Sequence, residues 1–202
     1  MSPRSAARNE ALREASRARI LKQALRLFAA KGYASTSIDA IVKAARMSPG
    51  LLYHYFPGKQ ALLRAIFEES MRDVKTSFAM ADAAGAPEKR LAGLLRGATL
   101  IVKTRREFWA LSYSVRMQPE VLAGLGPALH AWTRQIIDVL GRYLREAGWD
   151  SPAEEAALLF AQIDGLHQHY VLDPKHYPID DLTERLVLRY STPPAARARR
   201  RP

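Results

Sequence analysis

Not one cysteine occurs among the 202 residues. Disulfides, thiolate metal sites and cysteine nucleophiles are therefore excluded, and nothing suggests an oxidising compartment. Long apolar runs are also missing, because charge interrupts each of them before the roughly 18 residues that a membrane span requires. The N-terminus lacks the apolar core of a signal peptide, so the chain reads as cytoplasmic, neither inserted nor exported. Strand signals are almost absent: no window sustains period-2 alternation between turn residues, whereas 3.6-residue periodicity recurs throughout. The fold class is all-α. No GxSxG, P-loop or metal-ligand cluster appears, so neither an enzyme nor a cofactor is expected. Asp164 and His167 could share a helical face, but His169 points elsewhere, and two ligands do not close a metal site.

Acidic residues are scarce at one end. Residues 1–59 hold 11 Lys/Arg against 3 Asp/Glu, residues 60–196 hold 16 against 17, and the last six residues add four arginines. The net charge of +11 thus sits at the two ends of a nearly neutral body. A polyanion-binding head on an ordinary globular body explains that asymmetry better than a basic surface kept for solubility, which would spread the charge.

Within the basic segment, residues 1–14 read as a flexible arm. A helix is predicted from Ala15 to Lys31, with Ile20, Leu21, Ala24, Leu25, Leu27 and Phe28 on one face and Gly32 ending it. A short second helix runs from Ser37 to about Ala45. Thr36 and Ser37 both offer capping oxygens there, and Thr36 with Asp39 approximates a capping box. The stretch MSPGLLYHYF, Met47 to Phe56, opens with Ser48 as a cap and Pro49 in the first turn, and it must stop before Pro57. A helix of about two turns is marginal alone, yet it carries Gly50, so closeness outweighs helix propensity there. A long helix, a short helix, a tight turn and a second short helix outline a helix-turn-helix DNA reader over residues 15–59.

The run from Ile20 to Glu69 resembles the N-terminal domain of the TetR family of bacterial transcriptional regulators. The matching residues are Phe28-Ala-Ala-Lys-Gly32-Tyr33, the Thr36-Ser37 pair, Ile41, Ser48-x-Gly50-x-Leu52-Tyr53, Tyr55-Phe56 and Lys59. Ser37 stands where the family commonly has Thr, Tyr55 where His is common, and Ala40 and Val42 flank Ile41 where Ile-Ala is usual.

The resemblance implies that the third helix enters the major groove of double-stranded DNA. Gly50 would let the backbone approach the duplex, and Pro49 and Leu51 would touch base edges and thymine methyls. Tyr53, His54 and Tyr55 would contact phosphates or bases, while Leu52 and Phe56 face inward. Thr36, Ser37 and Lys59, at helix N-termini, would anchor phosphates without reading sequence.

Residues 60–190 read as a larger helical ligand-binding and dimerisation domain, with helices near 60–80, 88–103, 107–117, 120–147, 153–172 and 179–190 and a kink at 124–127. By resemblance, the last two helices would pair with those of a second copy through Leu159, Gln162, Leu166, Tyr170, Leu182, Leu186 and Tyr190, although burial within one subunit gives the same stripes. Trp109, Tyr113, Met117 and Trp132 are the candidate lining of a small-molecule pocket. Residues 191–202 read as a disordered basic tail. The expectation is a homodimeric repressor that binds a palindromic operator and is released by a small molecule, the alternative being a nonspecific architectural DNA binder.

Overall fold

The computed structural model describes residues 3–82 and 85–191. Its elements are α1 (Pro3–Lys31), α2 (Ile38–Ala45), α3 (Pro49–Tyr55), α4 (Lys59–Asp82), α5 (Pro87–Thr104), α6 (Arg106–Val115), α7 (Pro119–Glu146), α8 (Pro152–Leu172) and α9 (Ile179–Tyr190). No strand occurs among the described residues, as the periodicity predicts. The basic tail at 192–202 lies outside them.

Two compact units partition the chain: Met1–Ser70 with Leu111–Gly124, and Met71–Ala110 with Leu125–Pro202. Sequence reading places the boundary at 59/60, whereas the first unit keeps the start of α4 and takes back a later segment. The reason is burial. Leu62, Leu63, Ile66 and Phe67 of α4, and Leu111, Val115 and Val121 of the returning segment, are each at most 4% exposed. Each crossing between the units falls inside a helix, namely α4, α6 and α7.

In the first unit, α1 buries Ile20, Leu21, Ala24 and Phe28. It begins at Pro3 rather than Ala15, so residues 3–14 are helical and not a flexible arm. The Ala, Arg and Glu content of that segment favours helix without any tertiary partner, and Glu10 and Arg13 form an exposed pair one turn apart at 4.0 Å. Gly32, at φ +85°, ends the helix in a backbone conformation that suits glycine, and its amide donates to the Phe28 carbonyl at 3.0 Å.

Thr36 departs from its expected role. It is 2% exposed, and its hydroxyl donates to the Gly32 carbonyl at 2.8 Å and lies 3.3 Å from that of Leu27. It therefore satisfies carbonyls at the end of α1. Ser37 alone caps α2, accepting from the Ala40 amide at 3.2 Å. After α2, Arg46 takes the left-handed conformation at φ 54°, and the Arg46 and Met47 amides return to the Lys43 and Val42 carbonyls. That tight reversal delivers Ser48 as the cap of α3.

The second unit packs α5, α7, α8 and α9 around Leu94, Leu140, Tyr143, Leu159 and Tyr190, with Trp149 stacked on Tyr190 at 5.1 Å. α7 is one continuous helix, as expected, with Pro127 inside it at the position of the expected kink. Thr99 of α5, His167 of α8 and Thr183 of α9 form a buried polar chain. Donor counting orients it. The Thr183 hydroxyl donates to the Ile179 carbonyl at 2.8 Å, so the proton between Thr99 and Thr183 comes from Thr99. The Thr99 oxygen is then left to accept from His167 Nε2 at 3.2 Å, which selects the tautomer protonated on Nε2.

Two stability predictions follow from these contacts. Thr36→Val removes the buried hydroxyl that donates to the part-buried Gly32 carbonyl and should lower the denaturant midpoint by an amount equal to about 1–3 kcal/mol, which a urea titration would detect. Burial, opposed weakly by Asp164, lowers the His167 pKa to about 4, against about 6.5 for an unfolded histidine. Between those values the unfolded chain holds the extra proton, so stability present above pH 6.5 is lost as pH falls toward 4. The gap corresponds to roughly 3 kcal/mol. Urea unfolding measured from pH 7 to pH 4 should show this slope in the native chain and its loss in His167→Gln.

Candidate nucleic-acid interface and ligand groove

α3 has seven residues and only Leu52 buried within it, with Phe56 directly after it 4% exposed. At four-residue spacing these two side chains hold one side down. On the other side Pro49, Gly50, Leu51, Tyr53 and His54 are exposed, Tyr53 at 53%. Tyr55 is half-buried, its ring edge-on to His54 at 5.4 Å. Ser48 is exposed, but its oxygen accepts from the Leu51 amide at 3.3 Å, so it acts first as a cap. A Cβ at Gly50 would meet nothing within 4 Å, and the residue lies in ordinary helix. Nothing inside the chain calls for glycine there.

The expected anchors divide. Ser37 is exposed at the start of α2. Thr36 is buried and bonded, which removes its side chain from any phosphate-facing surface. Lys59 is half-buried: its Nζ donates to the Ala34 carbonyl at 3.1 Å and lies 4.6 Å from the centre of the Tyr33 ring. It fastens the start of α4 to the loop after α1. Burial, and then the charge of Glu120, raise the Tyr33 pKa, so its phenol stays neutral. Sequence reading passes over Lys43 and Arg46, exposed at the end of α2 and in the turn. Their signal was a cation in the last turn of α2 and another in the turn that follows, where Arg46 holds a backbone shape usually given to Gly or Asn.

The pocket candidates also separate. An open groove of about 310 Å³ is lined by Met71, Lys75 and Phe78 of α4 and by Trp132, Ile136 and Val139 of α7 among others. Trp132 is the one of the four candidates that lines it. Met117 is 83% exposed, too open to line an enclosed pocket, and Trp109 and Tyr113 are half-buried elsewhere. Among the described residues no group of three or more His, Asp or Glu is placed to hold a metal, and no helix is long and apolar enough to cross a membrane.

Of the dimer candidates, Leu159, Leu186 and Tyr190 are core residues of their own subunit. The Gln162 amide donates to the Tyr190 hydroxyl at 3.3 Å, Leu166 packs against the same core, and Tyr170 and Leu182 are half-buried. Exposure falls one or two residues away, on Leu158 (56%) and Leu172 (74%) of α8 and Leu188 of α9.

Comparison with known proteins fits this geometry. Residues 20–66 match the family model described as bacterial regulatory proteins, tetR family, and residues 82–193 match the tetracyclin repressor-like C-terminal domain. The HTH-type transcriptional regulator BetI of Burkholderia thailandensis is 30% identical over 165 residues, covering 77% of this chain and 81% of that protein. The uncharacterized HTH-type transcriptional regulator YuxN of Bacillus subtilis is 54% identical over 44 residues, 22% of this chain and 15% of that one. The fatty acid degradation regulator FadR from Bacillus halodurans shares the fold, with a TM-score of 0.76 at 18% identity over 87% of this chain and 94% of that chain. A two-domain match covering most of the chain, over a helix-turn-helix with an outward-facing α3, identifies the protein as a member of the TetR family of transcriptional regulators.

Proposed function

We propose that this regulator is a repressor that binds a palindromic operator as a homodimer and is released by a small molecule. The observation that carries DNA reading is the outer face of α3. Gly50 has no internal reason to be glycine, and Leu51 and Tyr53 stay exposed although both are large and apolar in part. A duplex explains all three: the backbone comes close at Gly50, Pro49 and Leu51 meet thymine methyls, and Tyr53, His54 and Tyr55 present polar tips. Ser37, Ser48, Lys59, Lys43 and Arg46 supply hydroxyls and cations for phosphates.

One short helix reads too few base pairs for operator specificity, which favours two-fold pairing with half-sites about 34 Å apart. Leu158, Ala161, Gly165 and Leu172 follow one another at helical spacing on the open side of α8 and support that pairing, with Leu188 of α9 beside them in type. The α4–α7 groove is large enough for a small ligand, with apolar walls and Lys75 and Asp138 as polar handles. A ligand that fits the groove better in the DNA-free arrangement shifts the population off the operator.

Selection of the purified protein against random duplex at physiological salt tests this reading. An enriched palindrome is expected, with Tyr53→Ala binding it more weakly at unchanged fold. Binding that fades with salt and enriches nothing supports the architectural alternative instead. Leu158→Glu should yield a monomer in sedimentation and reduce operator affinity at least tenfold; a dimer that persists would move the interface elsewhere.

A further inference from the structure

α1 is longer than the reader needs. The family domain begins at residue 20, where the first buried side chain of α1 also appears, yet the helix reaches back to Pro3. Every residue from Arg8 to Ala15 is exposed, so this stretch of the helix packs against nothing described in this chain. Residues 3–19 hold five arginines and two glutamates. The last of the projecting turns is fixed in place: the Arg17 guanidinium lies 5.5 Å from the centre of the Phe56 ring, at the C-terminal end of α3. A basic helix therefore leaves the domain beside the element that faces outward for DNA.

We propose that this extension of α1 is a second phosphate-binding element, which lies along the sugar-phosphate backbone flanking the half-site and contacts it through Arg8 and Arg13. The inference rests on the DNA-binding reading of α3 and adds a surface which that reading does not include. Charge complementarity and continuity with α3 favour a duplex over a second protein chain. Arg8 to Arg17 spans roughly 14 Å at 1.5 Å per residue, about four base pairs of added contact at each end of a dimer site. Such contacts neutralise phosphates and release counterions, so they add affinity and salt dependence without adding base discrimination.

The test compares the full chain with the Arg8→Ala/Arg13→Ala variant, which alters exposed positions outside the core. Fluorescence anisotropy is read on the duplex enriched from the random pool and on random duplex, over a salt series. Loss of two phosphate contacts from each subunit, four from the dimer, should make the slope of log affinity against log salt shallower by about 3.6 on both DNAs, with sequence preference retained. Hydroxyl-radical footprints should shrink by about four base pairs at each flank. Unchanged slopes and footprints overturn the proposal, as does a loss confined to the enriched duplex at unchanged slope. A variant that binds DNA normally but sediments as a smaller species assigns the helix, with its exposed Leu12, to self-association and also overturns it. If the native chain enriches no operator, the operator reading fails, while the slopes on random duplex still decide this one.

Discussion

Seven residues make about two turns of helix, and a helix that short does not persist in water on its own local bonds. α3 exists because Leu52 and Phe56 are anchored in an interior supplied by other elements. Burying one apolar side chain contributes about 1.5–3 kcal/mol, so two such anchors outweigh the poor intrinsic propensity of Gly50. The rest of the first unit serves the same constraint. α1 supplies Ile20, Leu21 and Ala24 as a floor, Arg46 turns the chain sharply enough to deliver Ser48 as a cap, and Lys59 ties the start of α4 to the loop after α1. Because only one side of α3 is committed inward, Pro49, Gly50, Leu51, Tyr53 and His54 are left facing away from the interior.

The second unit solves a different problem, keeping four long helices in register with few directional contacts. Its core is mostly leucine, which fills space without specifying alignment. The chain from His167 through Thr99 and Thr183 to the Ile179 carbonyl does specify it, since each hydroxyl has a single proton to give and each must find its acceptor. On the rim, Arg96 meets Glu184 in a two-pronged contact at 2.7 Å, and Lys103 meets Asp180. Each pair is more than a third exposed on at least one side, so solvent screens it and it adds alignment more than stability.

Much of this was legible in the sequence. Helix period and the stop at Pro57 located α3, and the paired apolar positions four apart told which side faces in. The misreadings share one cause: sequence spacing gives a stripe but not its neighbours. Thr36 and Ser37 are both hydroxyl residues before a helix, and only the position of the α1 carbonyls decides that Thr36 turns back to them. Leu158 and Leu159 are adjacent on α8, and which one the core takes depends on where α9 lies. Residues 3–14 lack an apolar stripe, so they read as an arm, although Ala-rich sequence with charges one turn apart forms helix without one. The return of residues 111–124 to the first unit had no local signal, because it is set by contacts distant along the chain.

That return shapes how the family domain can be inherited or exchanged. The chain passes between its two units inside α4, inside α6 and inside α7. No loop separates reader from body, so no single cut in the gene yields the complete first unit. A hybrid joined at residue 59 or 70 would part residues 111–124 from the compact unit to which they belong, or would oblige a foreign segment to take their place. Changes to the outer face of the helix-turn-helix are thus easier to reach by point substitution on the open side of α3, where no internal packing opposes them, than by recombination of whole domains.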